Sequence, residues 1–144
     1  MQIFTTEKEL KLFLDSLRNN NIALVPTMGG LHEGHLSLVD KAKSLAQIVV
    51  VSIFVNPTQF ARGEDFDDYP NTFDSDKLLL ESKKVDALFL PSKDEIYPHG
   101  TESDYKVGDI GQILCGAFRP THFNGVAQVV RRFFEIVNPN YAVF

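Results

Sequence analysis

The chain has 144 residues, of which 44% are hydrophobic and 23% are charged, a composition typical of one globular domain with a sizeable core. Its formal net charge of −5 argues against a nucleic-acid-binding protein, which needs a basic surface to neutralise phosphates. One cysteine excludes an internal disulfide. No apolar run reaches the roughly 18 residues that predict a membrane span, and we expect a cytoplasmic protein.

Helical and strand patterns alternate along the chain. Thr6 and Glu9 form a capping box that opens a first helix, which is expected to end at Asn19. An apolar run at residues 22–25 predicts a buried strand, closed by Pro26. The later patterns predict helices over about 35–46, 73–84 and 124–137, and strands over 48–54, 87–90 and 141–144. Residues 92–121 are predicted to be irregular.

This order of elements predicts an α/β fold, a Rossmann-like doubly wound parallel sheet with right-handed crossovers. Ligands bind such sheets beyond the carboxyl ends of the strands. Candidate site residues are therefore expected in the turns after Val25, Phe54 and Leu90. Because the last predicted strand stops at Phe144, we expect the domain to be truncated and the fold to continue in residues outside this sequence.

The turn between the first predicted strand and the second helix reads PTMGGLHEGH at residues 26–35. Its two adjacent glycines allow the backbone to approach a phosphate closely. His35 falls at the start of the helix, where free backbone N–H groups favour an anion. His32 comes three residues earlier, so both imidazoles can face one pocket and stabilise charge that develops on a phosphate.

This turn has other interpretations. The spacing His-x-x-His with Gly34 inside differs from the zinc-protease helix motif, and His99 and His122 follow no ligand-like pattern, so no metal site is predicted. Two histidines that satisfy only turn hydrogen bonds are the plainer alternative. The sequence contains neither a Walker A motif nor a dinucleotide-binding glycine fingerprint.

The pattern His-x-Gly-His after a first strand is similar to the signature of the nucleotidyl-transferring superfamily that includes class I aminoacyl-tRNA synthetases. The longer string Pro-Thr-Met-Gly-x-Leu-His-x-Gly-His resembles the pantothenate synthetase family in particular. Three further blocks resemble that family, in the expected order: VSIFVNPTQF at 51–60, Glu64-Asp65 with Tyr69-Pro70, and GAFRPTHFNGV at 116–126. The similarity runs from about residue 24 to residue 144.

Two departures from the family pattern stand out. Asn71 occupies a position where the family usually has arginine. The family also continues with a Gly-x-Lys-Asp-x-Gln-Gln motif, a Ser-Ser-Arg-Asn motif and a smaller C-terminal domain, which this sequence lacks. The isolated chain is therefore expected to be inactive.

The resemblance implies the N-terminal domain of a ligase that condenses pantoate with β-alanine through a pantoyl adenylate, a step towards coenzyme A. It implies ATP with Mg²⁺ as a substrate complex, no tightly bound cofactor, and a homodimer for the full-length protein. Asp74 and Asp76 either lie near the Mg²⁺ or simply complement a helix dipole.

The resemblance also implies roles for individual residues. His35, as proton donor or charge stabiliser, and His32 are the catalytic candidates. The candidates for ATP binding are Met28, Gly29, Gly30, Leu31, His32, Glu33, Gly34 and His35. The candidates for binding pantoate or β-alanine are Gln59, Pro26, Thr27, Met28, Val129 and Val130, and the two valines fit plain helix core equally well. Arg119, His122 and Asn56 are further candidates for orienting a loop or a substrate.

Two other functions fit parts of the sequence. One is a different adenylyl- or cytidylyltransferase with the same histidine motif, which the block at residues 56–60 argues against. The other is a non-catalytic fragment that only binds pantoate or nucleotide. A comparison of ligand binding with AMP release would separate binding from turnover.

Overall fold

The computed structural model of the chain describes residues 1–60, 72–101, 108 and 122–144. Within these residues one sheet is formed, in which neighbouring strands are all parallel and follow the order β1-β4-β3-β2-β5. The strands are β1 (Gln2–Phe4), β2 (Ile22–Thr27), β3 (Ile48–Ile53), β4 (Ala87–Phe89) and β5 (Tyr141–Ala142). The predicted parallel α/β sheet is confirmed.

Helices connect the strands and cover both faces of the sheet. They are α1 (Glu7–Asp15), α2 (Glu33–Leu45), α3 (Phe73–Ser82), α4 (Lys93–Ile96) and α5 (His122–Val137). Buried residues fall into two clusters, because successive strand side chains point to opposite faces. One cluster joins α1 and α5 to Leu24 and Val50, and the other joins α2 and α3 to Val25 and Val51. The sheet is therefore doubly wound, as predicted.

Several element boundaries differ from the prediction. Strand β1 was not predicted, because its three residues gain their partners only from β4, with Gln2 paired to Ala87. Helix α1 ends at Asp15 rather than near Asn19. The short helix α4 lies in a stretch predicted to be irregular, and the Ser92 side chain caps it by accepting from the backbone of Glu95. No helix in the described residues is long and apolar enough to cross a membrane.

An ion-pair cluster joins α1 to α5 on one face of the sheet. The Glu7 carboxylate accepts from Lys11 at 2.5 Å and from Arg132. Arg132 also donates to the carbonyl of Ile96 at 3.2 Å. Burial opposes ionisation of Glu7, but the hydrogen bonds and positive charges of Lys11 and Arg132 outweigh it and lower the pKa of this carboxyl.

Candidate active site

The loop that follows β2 is shaped by two glycines. Gly29 and Gly30 have φ angles of +87° and +64°, in the left-handed region that glycine adopts without steric cost. The buried hydroxyl of Thr27 donates to the carbonyl of Ser52 at 2.8 Å and accepts from the amide of Gly29 at 3.3 Å. The loop therefore leaves the carboxyl end of β2 anchored to its neighbour β3.

A buried carboxylate from α3 holds this loop from the other side. Asp76 is only 2% exposed, and its two oxygens accept from the amides of Gly30 at 2.9 Å and Leu31 at 2.8 Å. The Thr72 hydroxyl donates to the same carboxylate at 2.9 Å. Neither of the functions predicted for Asp76 describes this role. Acidic residues are common in the first turn of a helix, where they complement the helix dipole. The sequence therefore contained no signal that Asp76 would bind a distant loop.

The two histidines meet at the beginning of α2. The helix begins at Glu33, two residues earlier than predicted, because His32 is its N-cap and accepts from the amide of Gly34 through Nδ1 at 3.0 Å. An accepting Nδ1 carries no proton, so the neutral ring of His32 holds its proton on Nε2. The rings of His32 and His35 lie 4.2 Å apart between centroids. The structure thus brings the predicted pair together, and gives one nitrogen of His32 a capping role.

The surroundings of His35 favour its neutral form. Burial is the largest of the effects that lower the pKa of this imidazole, and the neighbouring His32 lowers the pKa further. The negative charge of Asp76 opposes both effects. Nδ1 of His35 is buried and has no hydrogen-bond partner among the described residues. An anion at the beginning of α2 would favour protonation of this ring, which lies in the first turn of the helix.

A second loop, after β3, contains Asn56 and Gln59. Asn56 is fully buried and caps the 3₁₀ turn Pro57–Gln59, where its Oδ1 accepts from the amide of Thr58 at 3.3 Å. Its Nδ2 donates to Oε1 of Gln59 at 3.0 Å. Nε2 of Gln59 in turn approaches Sδ of Met28 at 3.5 Å. Gln59 therefore joins the loop after β3 to the loop after β2, as expected for two turns at the same edge of a parallel sheet.

The beginning of α5 packs against the loop after β3. Nδ1 of His122 lies 2.9 Å from the carbonyl oxygen of Gln59. Gly125 approaches the backbone of Thr58 so closely that an added Cβ would lie 2.3 Å from its carbonyl oxygen. His122 is thus a loop contact, one of the alternatives that the sequence left open.

Two further predicted residues, Val129 and Val130, lie on α5 and contact the core. Val129 is buried in the core cluster beneath the helix, and Val130 packs against that cluster. Pro26 lies within β2, opposite Ser52 of β3. Arg119 lies outside the described residues, as do Asn71 and the sequence blocks at residues 64–70 and 116–121.

Asp74 and Asp76, the acidic residues named for Mg²⁺, both lie in the first turn of α3. Among the described residues, no group of three histidine, cysteine, aspartate or glutamate side chains is arranged to hold a metal ion. Both oxygens of Asp76 bond to the glycine loop, and Asp74 on the same helical turn is exposed. Asp76 thus holds the loop through both of its oxygens.

Comparison with known sequences decides the family. A sequence model described as pantoate-beta-alanine ligase matches residues 2–144. The chain belongs to the pantoate–β-alanine ligase family. Among its relatives, a pantothenate synthetase of Laribacter hongkongensis is 52% identical over 146 residues, covering 100% of this chain and 52% of the relative. One of Aquifex aeolicus is 49% identical over 144 residues, covering 99% of this chain and 51% of the relative.

Solved structures of the family share the fold. A pantothenate synthetase from Thermus thermophilus has a TM-score of 0.90 at 43% identity, with 99% of this chain and 51% of that chain covered. A pantoate-beta-alanine ligase from Francisella tularensis, complexed with beta-gamma ATP and beta-alanine, has a TM-score of 0.91 at 44% identity, with 99% and 55% covered. The chain thus spans about half the length of the family members it matches.

Proposed function

We propose that the chain is the nucleotide- and pantoate-binding part of an ATP-dependent ligase that joins pantoate to β-alanine. One observation carries the proposal: the His32–His35 pair lies at the beginning of α2, directly after a glycine loop fixed at the carboxyl end of β2. Membership of the family, and the beta-gamma ATP and beta-alanine in the related Francisella tularensis structure, support the choice of substrates.

The proposed reaction has two steps. A carboxylate oxygen of pantoate attacks the α-phosphorus of ATP, and the bond from that phosphorus to pyrophosphate breaks, which leaves pantoyl adenylate. The amine nitrogen of β-alanine then attacks the acyl carbon, the bond from carbon to the AMP oxygen breaks, and the amine releases a proton. The protein contributes mainly by positioning the reactants and by stabilising the developing charge.

We assign different residues of the site to ATP and to pantoate. We assign the loop and helix start at residues 28–35 to ATP, with backbone amides and the two imidazoles next to the phosphates. The neutral state of His35 suits it to donate a hydrogen bond, or to take up a proton when the polyphosphate arrives. We assign Gln59, with Thr27 and Met28, to pantoate, and the two valines of α5 to helix packing.

Three further properties are proposed for the whole protein. Mg²⁺ enters as the ATP complex, held by phosphate oxygens as this hard cation prefers. The full-length protein forms a homodimer, as the family resemblance implies, and light scattering after size-exclusion chromatography measures its mass. The cytoplasm is proposed as its location, since the single cysteine needs no oxidising compartment.

The test is pantoate-dependent exchange of pyrophosphate into ATP. It uses the 144-residue chain and an extended protein, in which these residues are followed by the C-terminal half of the Laribacter hongkongensis relative. We expect exchange in the extended protein, and a rate lower by about 100- to 1,000-fold in its His35→Ala variant, the scale of losing one preorganised donor. His32→Ala is expected to lower the rate similarly and to weaken ATP binding more.

The 144-residue chain alone is expected to bind ATP weakly and to turn over negligibly, because the family's remaining charged motifs are supplied only by the extension. Exchange that proceeds equally well without pantoate would instead indicate a different nucleotidyltransferase. Exchange at the normal rate in His35→Ala would overturn the assignment of the histidine pair.

A further inference from the structure

Tyr97 connects a third strand end to the candidate site. It follows α4, beyond the carboxyl end of β4, and its side chain is buried against Phe54 with ring centroids 6.3 Å apart. Its hydroxyl donates to Oδ1 of Asn56 at 2.8 Å, a shorter hydrogen bond than the two that this oxygen accepts from Thr58. Burial raises the pKa of the Tyr97 phenol, so the hydroxyl keeps its proton throughout the neutral range.

The orientation of the Asn56 amide is fixed by two backbone groups. The amide of Thr58 can only donate, and it faces Oδ1 at 3.3 Å. The carbonyl of Gly125 can only accept, and it faces Nδ2 at 3.1 Å. A flipped amide would set donor against donor and acceptor against acceptor inside the protein. Asn56 therefore presents its nitrogen, and not its oxygen, to Gln59.

This orientation also fixes the side chain of Gln59. Because Nδ2 of Asn56 is a donor, the atom of Gln59 that faces it must be the acceptor Oε1, at 3.0 Å. The opposite end of the Gln59 amide, the donor Nε2, then points towards Met28 and the glycine loop. A ligand group recognised there by Gln59 must be an acceptor, such as a carboxylate or hydroxyl oxygen.

We infer that Tyr97 is a positioning residue for substrate recognition, acting through Asn56 to aim the donor end of Gln59 at an acceptor oxygen of pantoate. The inference rests on the proposed function for the identity of the substrate. In this role Tyr97 acts through Asn56 and not by direct contact with the substrate. It braces a buried amide whose other contacts come from the loop after β3 and from the beginning of α5.

A double-mutant cycle between Tyr97 and Gln59 in the extended protein tests this role. Tyr97→Phe keeps the ring and removes the hydroxyl, with its 2.8 Å hydrogen bond to Asn56 and its 3.4 Å contact with the Thr58 hydroxyl. We expect the pantoate KM to rise roughly fivefold, with the KM for ATP unchanged. Gln59→Ala should raise the pantoate KM more, by roughly 5- to 100-fold. In the Gln59→Ala background, Tyr97→Phe should have no further effect, because its path to the substrate is already broken. The matched control is Tyr141→Phe, which removes the hydroxyl of an exposed tyrosine in β5 and should leave both KM values unchanged.

The outcomes are distinct. Additive effects of Tyr97→Phe and Gln59→Ala on the pantoate KM, or equal rises in the KM of both substrates, would overturn the inference and indicate a general packing role for Tyr97. Absence of pantoate-dependent exchange in the unsubstituted extended protein would instead contradict the proposed function.

A measurement without substrate examines the positioning directly. In the ¹⁵N-labelled 144-residue chain, the side-chain amide protons of Asn56 should exchange slowly with solvent. Tyr97→Phe should accelerate that exchange and shift the side-chain amide resonance of Gln59, whereas Tyr141→Phe should do neither. Unchanged exchange and an unshifted Gln59 resonance in Tyr97→Phe would also overturn the inference.

Discussion

Asp76 and Leu31 lie 45 residues apart in the chain, yet Oδ1 of the aspartate accepts a 2.8 Å hydrogen bond from the backbone amide of the leucine. Asp76 also accepts hydrogen bonds from Gly30 and Thr72. The conformation of the glycine loop is therefore held by tertiary contacts with α3 and not only by local hydrogen bonds. The shape of the proposed nucleotide site therefore depends on α3.

Asp76→Asn tests this dependence. An amide in place of the carboxylate sets an N–H donor against one of the donors that now face the two oxygens. Unfolding in urea is expected to show a loss of about 1–3 kcal/mol, and ATP binding to the extended protein should weaken. The control is Asp74→Asn, at an exposed position on the same helical turn. It should change neither the free energy of unfolding nor ATP binding. Equal behaviour of the two variants would contradict the role given to Asp76.

Gly125→Ala probes the contact between α5 and the loop after β3. The new Cβ would lie 2.3 Å from the Thr58 carbonyl oxygen, and backbone cannot move aside as cheaply as a side chain, so we expect a loss of about 1–3 kcal/mol in the free energy of unfolding. The pantoate KM of the extended protein should rise as the loop shifts.

Gly30→Ala is the comparison variant for Gly125→Ala. An added Cβ at Gly30 meets nothing within 4 Å, so only its φ of +64° opposes the substitution, at a cost of about 1–2 kcal/mol. Its effect should fall on ATP binding and leave the pantoate KM unchanged. A Gly125→Ala variant with unaltered stability and pantoate KM would show that α5 can move away from the loop freely.

Proton uptake should accompany ATP binding through His35. Its pKa in the free protein lies below the ordinary value of about 6.5, and bound phosphates would raise it by stabilising the imidazolium. Protons are then taken up between the two pKa values, and the uptake vanishes at higher and lower pH. Calorimetry near pH 6 in two buffers of different ionisation enthalpy measures this for the extended protein.

The same titration with His35→Gln provides the reference for protons that ATP itself exchanges. We expect the substituted protein to take up fewer protons than the unsubstituted one at pH 6, with the difference disappearing at pH 8. Identical uptake by both proteins at every pH would mean that His35 does not respond to the polyphosphate.

Glu7 should contribute to stability in a pH-dependent way. Its pKa is lowered in the folded protein, so its contribution is complete above the ordinary carboxyl pKa of about 4.3 and is lost as the pH falls through the lowered value. Glu7→Gln should therefore unfold at lower urea concentration than the unsubstituted chain at pH 7, with a smaller difference at pH 3.

Glu81→Gln is the matched control for Glu7→Gln, because its carboxylate pairs with Lys77 at 4.0 Å on an exposed surface, where ion pairs contribute little. A constant difference between Glu7→Gln and the unsubstituted chain from pH 7 to pH 3 would contradict the ion-pair explanation.

The sequence predicted the elements whose signals are local. β2 and β3 are continuous apolar runs, and the capping box at Thr6 places the start of α1 correctly. β1 could not be predicted, because three residues carry no periodic pattern and its pairing depends on β4. α2 began earlier than predicted because a histidine served as its N-cap, a role more commonly filled by serine, threonine, aspartate or asparagine.

The same division applies to the candidate site. The glycine loop, the histidine pair and Gln59 were identified from a contiguous motif and a resemblance, and the structure brings them to one edge of the sheet. The contacts of Asp76 with the glycine loop and of Tyr97 with Asn56 were missed, because each joins residues far apart in the sequence through a buried polar group. Such partners become visible only when the topology is known.

The pairing of β1 with β4 also constrains the order in which the strands can pair during folding. The register Gln2↔Ala87 to Phe4↔Phe89 means that β1 has no strand partner until β4, about 85 residues further along the chain, has joined the sheet. β2 and β3, only 26 residues apart in register, can pair much sooner, since short loops close at lower entropic cost. We therefore expect β2 and β3 to pair early in folding and β1 to join the edge of the sheet later.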